Sequence, residues 1–123
     1  MLGNKMKLID DSIYFRVSSC IEDFVTASGT DKQKLLLCID NLLPISEEDF
    51  KDQQTRTVFA KLLNTMTQVP ENLNYGERKS VEQNGTAYFA ISHMPSRTIS
   101  KCKRNLWELF SLCEQNYYEE NQC

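Results

Sequence analysis

The stretch from Thr30 to Pro44 constrains this chain more than any other. Thr30 stands three residues before Gln33, the spacing of a capping box. There, side chains and backbone at a helix start satisfy each other's free hydrogen-bonding groups. Seven apolar residues follow between Lys34 and Leu43: Leu35, Leu36, Leu37, Cys38, Ile39, Leu42 and Leu43. That is more than one helical stripe, so a helix here must be contacted on several sides. Pro44 stops it, because proline cannot continue the hydrogen-bond ladder. A short buried strand is the rival reading. The capping box and the scarcity of β-branched residues favour the helix.

The rest of the chain has to cover that surface. From about Asp11 to Ala27, Ile13, Val17, Cys20, Ile21, Phe24 and Val25 recur at three- and four-residue spacing, which predicts an amphipathic helix. Asp10 or Asp11 supplies its cap, and Gly29 ends the segment as a left-handed residue. Ser46 begins a third helix whose first turn holds Glu47, Glu48 and Asp49, favourably placed at the positive end of a helix dipole. Its apolar face runs from Phe50 through Phe59 and Leu62 to Met66, with a weak middle from Asp52 to Thr57 that can hide a break. Val69 to Lys79 reads as a polar loop. The last helix spans about Thr98 to Tyr118, on Ile99, Cys102, Leu106, Leu109, Cys113 and Tyr117.

Between the third and last helices the pattern changes. Asn84-Gly85 tolerates positive φ and is a strong hairpin signal, and Thr86 to Ile91 has strand-like composition. The expected fold is therefore mainly α: a compact bundle of about four helices with a small β-hairpin before the last one. The expected organisation is a single helical domain over 1–123, with the hairpin inserted at about 79–92. A length of 123 residues can bury a core large enough to fold without staples.

Met1 to Lys7 is short and polar and does not read as a secretory leader. No apolar run approaches the roughly 20 residues that a bilayer span needs. Asn84-Gly85-Thr86 matches a glycosylation acceptor, which without a secretory route signals only a turn. An odd count of five cysteines, Cys20, Cys38, Cys102, Cys113 and Cys123, argues against a complete intrachain disulfide framework. Four lie in apolar-periodic segments and read as reduced core residues. The expected setting is cytoplasmic.

The formal charge of -3 hides a segregation. From Arg78 to Arg104 the bases are Arg78, Lys79, Arg97, Lys101, Lys103 and Arg104, and the only acid is Glu82, giving +5. From Asn105 to Cys123 there are four acids and no base. Bases at a helix N-terminus oppose the dipole, so propensity does not explain them. Acids such as Glu47 to Asp52 can neutralise them internally. Otherwise an acidic protein surface or nucleic-acid phosphates can do so from outside.

Chemical candidates are few. His93 is the sole histidine. It has no neighbouring set of metal ligands, and no cysteine pair has zinc spacing. A metal-independent ribonuclease could use His93 as base beside Arg97 or Lys101, so His93 is the one catalytic candidate. Cys102 lies among three bases that could lower its pKa, yet its helical face points inward. The acid pairs are adjacent in sequence and do not face each other on a helix. No cofactor is expected. The leading expectation is a small non-enzymatic intracellular protein-binding module, such as an adaptor, inhibitor or immunity-like regulator, acting by occlusion or tethering. Its candidate interaction residues are Arg78, Lys79, Tyr88, Phe89, Arg97, Lys101, Lys103, Arg104, Trp107 and Tyr118. The expected partner is a protein or a second copy of the chain, and not a membrane. The alternatives are a nucleic-acid-binding regulator using residues 97–104 and the ribonuclease using His93.

Overall fold

The computed structural model describes residues 8–121. The leader reading of Met1 to Lys7 and the residue Cys123 lie outside them. The first helix, α1, is Asp11–Thr26, and α2 is Asp31–Leu42. A 3-10 turn at Glu47–Asp49 precedes α3, Gln53–Thr67. Then come α4, Tyr75–Asn84, α5, Thr86–Ser92, and the long α6, Ser96–Asn121.

The capping box at Thr30 is formed in full. Gln33 N–H donates to Thr30 Oγ1 at 3.2 Å, and Thr30 N–H donates to Gln33 Oε1 at 2.8 Å. Gly29 has φ +112° and lies in the four-residue link after α1, whose own C-cap, Ala27, is extended. A Cβ on Gly29 would collide with Gln33 Oε1, the atom that the capping box needs.

The expected third helix is divided. Phe50 to Asp52 leaves helical geometry, and α3 restarts with Asp52 Oδ2 accepting from Thr55 N–H at 3.0 Å. The break seats Phe50 against Phe59, with ring centroids 5.0 Å apart. Thr55 then joins the start of α3 to the far end of α6. Its hydroxyl donates to Asp52 Oδ2 at 2.8 Å and accepts from Asn116 Nδ2 at 3.2 Å.

The expected β-hairpin is absent: no strand occurs among the described residues. Two features replace it. Asn74 and Glu77 form a further full capping box, which starts α4 inside the supposed polar loop. Gly85, at φ +92°, ends α4 by donating its N–H to Val81 O at 2.8 Å and then opens α5. Its positive φ serves a helix-to-helix corner and not a two-residue hairpin turn. Thr86 to Ile91 therefore becomes a short buried helix. A short apolar run does not distinguish that outcome from a strand.

The helices close a circuit: α1 packs on α2, α2 on α5, α5 on α3, α3 on α6, and α6 on α1. The core lies inside this ring, where Val17, Leu35, Leu42, Phe59, Leu62, Ile91, Leu106 and Leu109 are buried. At the crossing of α1 and α2, the Cys38 thiol donates to Cys20 O at 3.1 Å and the Cys20 thiol to Cys38 O at 3.5 Å. Small side chains let the two backbones approach this closely. No helix among the described residues is long and apolar enough to cross a membrane.

The two glycine environments separate by experiment. Gly29→Ala is expected to lower unfolding free energy by about 1–2 kcal/mol, through the left-handed backbone penalty together with loss of the capping contact. Gly76→Ala, in the helical backbone of α4 with ordinary van der Waals room, is expected to raise it by about 0.5 kcal/mol. Urea midpoints of the two variants check the opposite signs.

Candidate functional site

The basic residues of α6 divide into two groups. Lys103 pairs with Asp31 on α2 at 2.9 Å, both side chains being partly exposed. An ion pair so open to solvent contributes at most about 1 kcal/mol and mainly orients α6 on α2. Arg97, Lys101 and Arg104 recur at four- and three-residue spacing on the exposed face. Among the described residues none of them has a carboxylate partner within 4.0 Å. Of the four acids from Glu47 to Asp52 expected to neutralise them, all but Glu47 are engaged elsewhere. Asp49 accepts from Ser46 N–H, Glu48 from the Ser46 hydroxyl, and Asp52 caps α3.

Trp107 is 40% exposed on the same helix, within a turn of Lys103 and Arg104. Tyr118, 52% exposed, stands three turns further on. It meets Tyr117 edge-on at 5.6 Å, and Tyr117 stacks on Tyr14 of α1 at 4.2 Å. Tyr118 thus belongs to an aromatic corner between α1 and α6, away from the three bases.

The α4–α5 candidates are dispersed. Arg78 and Lys79 are exposed on α4, where Arg78 Nε donates to Leu73 O and Lys79 lies over the Tyr75 ring. Tyr88 is 47% exposed but faces α2, in a groove of about 340 Å³ shared with Leu37, Leu43 and Asp40. No base of α6 lines that groove. Phe89 is only 3% exposed, so it is a core residue and no stacking platform for a base. The aromatic residues expected to flank the basic patch on a hairpin are thus separated from it by the helical path of the chain.

His93 lies just past α5. Its ring stacks on Phe89 with centroids 4.1 Å apart, and its Nδ1 is 2.9 Å from Phe89 O. A carbonyl only accepts, so Nδ1 carries the hydrogen in this contact and Nε2 is the nitrogen left for other work. The ring borders a cleft of about 470 Å³ where the end of α3, the start of α4, the end of α5 and the start of α6 meet. Glu77, Met94, Pro95 and Thr98 also line it. The sequence reading did not find this cleft. The signal it left unused was Asn74-x-x-Glu77, a legible capping box.

Cys20, Cys38, Cys102 and Cys113 are free and buried. Cys102 faces Met94, with sulfurs 3.8 Å apart. Burial pushes its thiol up to about 11, against a smaller lowering by Lys101. The same burial takes Cys113 to about 12. The Cys20 thiol is held up first by its hydrogen-bonded partner Cys38 and then by burial. Raised, buried thiols are poor nucleophiles. Among the described residues no three His, Cys, Asp or Glu side chains gather into a group able to hold a metal. No family model, curated protein or solved structure matches this chain.

Two outcomes follow for the thiols. Iodoacetamide at pH 8 should leave these four unmodified in the native protein, and peptide mass mapping checks it. Native labelling of Cys102 would contradict its inward placement. Stability should also fall in alkali. The unfolded chain releases these protons near pH 9.0, while the folded chain holds those of Cys102 and Cys113 to about 11 and about 12. The contribution is therefore complete below pH 9 and is lost as pH rises through that window. Urea midpoints of a Cys102→Ala/Cys113→Ala variant should be lower at neutral pH and decline less steeply above pH 9.

Proposed function

We propose that the protein is a small non-enzymatic binding module that holds an acidic segment of a partner protein against the exposed face of α6. It acts as an adaptor, inhibitor or immunity-like regulator, by tethering or occluding that partner. One observation carries the reading. Arg97, Lys101 and Arg104 share an exposed stripe with no carboxylate within 4.0 Å among the described residues, beside the half-exposed Trp107.

The energetics favour an external anion. The three cations of the stripe repel one another, and Arg97, in the first turn of α6, also opposes the helix dipole; acidic side chains from a partner relieve both effects. Trp107 adds the apolar anchor on which interface affinity commonly concentrates. A protein segment suits the face better than a nucleic acid does. The stripe is short, Glu108 follows it on the same face, and the chain as a whole is acidic. Four unpaired thiols suit a reducing, intracellular setting.

Trp107 is the only tryptophan, so its emission reports on this face alone. Titration with a short peptide of mixed glutamate and leucine should change that emission saturably. The affinity should weaken several-fold as salt screens the charges. Arg97→Ala, Lys101→Ala and Arg104→Ala together should weaken it at least about tenfold with the thermal midpoint unchanged. Tighter binding of a single-stranded oligonucleotide than of the peptide would reassign the face to nucleic acid. No response to either ligand would remove the α6 face as a binding surface.

A further inference from the structure

The cleft beside His93 combines an apolar floor with hydrogen-bond acceptors from α4 and from the residue that follows α5. Phe89, Ala90, Met94 and Pro95 supply the apolar surface. At about 470 Å³ the space lies in the range of small-molecule sites, and its walls come from four helices. Its polar groups are held in place by contacts described above. Glu77 Oε1 accepts from Asn74 N–H at 3.0 Å, which fixes the carboxylate and leaves Oε2 without a partner among the described residues. His93 is fixed by stacking on Phe89 and by its Nδ1 contact, so the neutral ring keeps Nε2 as an acceptor.

The charge of the lining is informative because of where it lies. The surrounding sequence from Arg78 to Arg104 carries +5, yet no lysine or arginine lines the cleft. Its one formal charge is the Glu77 carboxylate. The site therefore offers a phosphate or carboxylate only the neutral donors of Thr65, Gln68 and Thr98 and no cationic one, while it presents a fixed carboxylate to a cation.

We infer that this cleft is a binding site for a small protonated organic amine with an apolar or aromatic body. The ammonium donates to Glu77 Oε2 and His93 Nε2, and the body lies on Ala90, Met94 and Pro95. The site is separate from the exposed α6 stripe and does not depend on a partner there.

The test uses uniformly 15N-labelled full-length protein and three probes of one shape: benzylamine, benzyl alcohol and benzoate. Benzylamine should shift the amide resonances of Glu77, Ala90, His93 and Thr98 saturably, with the millimolar affinity ordinary for a fragment. Benzyl alcohol should bind about tenfold more weakly, and benzoate should not bind. Glu77→Gln should reduce benzylamine affinity about tenfold and leave the alcohol unchanged. Glutamine also serves at the third position of a capping box, so the thermal midpoint should hold. His93→Phe, which keeps a stacking ring and removes the acceptor, should weaken benzylamine several-fold. Absence of benzylamine shifts at the cleft, benzoate binding as tightly as the amine, or full affinity in Glu77→Gln would each overturn the assignment. The α6 stripe stands or falls separately, on the emission of Trp107.

Discussion

The fold depends on the burial of one short helix. Alpha-5 is seven residues long, and four of them, Ala87, Phe89, Ala90 and Ile91, are buried. A helix of that length has no independent stability in water, so tertiary packing must hold it. In return it joins α2 to α3, the contact that closes the ring of helices. Phe89 and Ile91 each contribute about 2 kcal/mol by leaving water. Without them the inner faces of α2 and α3 would be open at this point. Gly85 is what lets the chain turn into this position, since its φ of +92° allows α4 to end and α5 to begin without a loop.

The other half of the ring is set by close approach. Cysteines at the α1–α2 crossing bring a thiol against each opposing carbonyl, a contact that leucine at either site would forbid. Thr55 plays the corresponding part between α3 and α6, its hydroxyl donating to the Asp52 cap and accepting from Asn116. Lys103 with Asp31, and Lys32 donating to Ser92 O at 3.0 Å, then tie the start of α2 to the α5–α6 junction. The exposed stripe and the cleft are consequences of these constraints. Packing fixes which side of α6 faces inward, and so leaves Arg97, Lys101 and Arg104 outside.

Sequence patterns were most legible where period and punctuation agreed. The Thr30–Gln33 box combines helical spacing with a start signal that forms, whereas for α1 the spacing alone was right: Asp10 makes no side-chain cap, and Ala27 ends the helix before Gly29. The region from Asn74 to Ser92 misled for a physical reason. Asn84-Gly85 reports only that positive φ is available, and both a hairpin turn and a helix end use it. A six-residue apolar run then carries too few repeats to separate a period of two from one of three to four. The misreading extended to the site: a hairpin would have placed Tyr88 and Phe89 beside the bases, whereas a helix buries Phe89 and turns Tyr88 toward α2. The cleft could not be read because its walls come from residues as far apart as Thr65 and Thr98.

Alpha-4 stands outside the closed circuit. It packs on α5, contains no buried residue, and is held by a capping box at one end and a glycine at the other. Local opening is therefore expected to expose its amide hydrogens to solvent more readily than the buried amides of the ring. Since Glu77 sits in the first turn of α4, whatever fills the cleft beside it also supplies that helix with a second anchor. Occupancy would then slow exchange in this ten-residue helix beyond the general slowing that binding to the folded state gives every deeply protected amide.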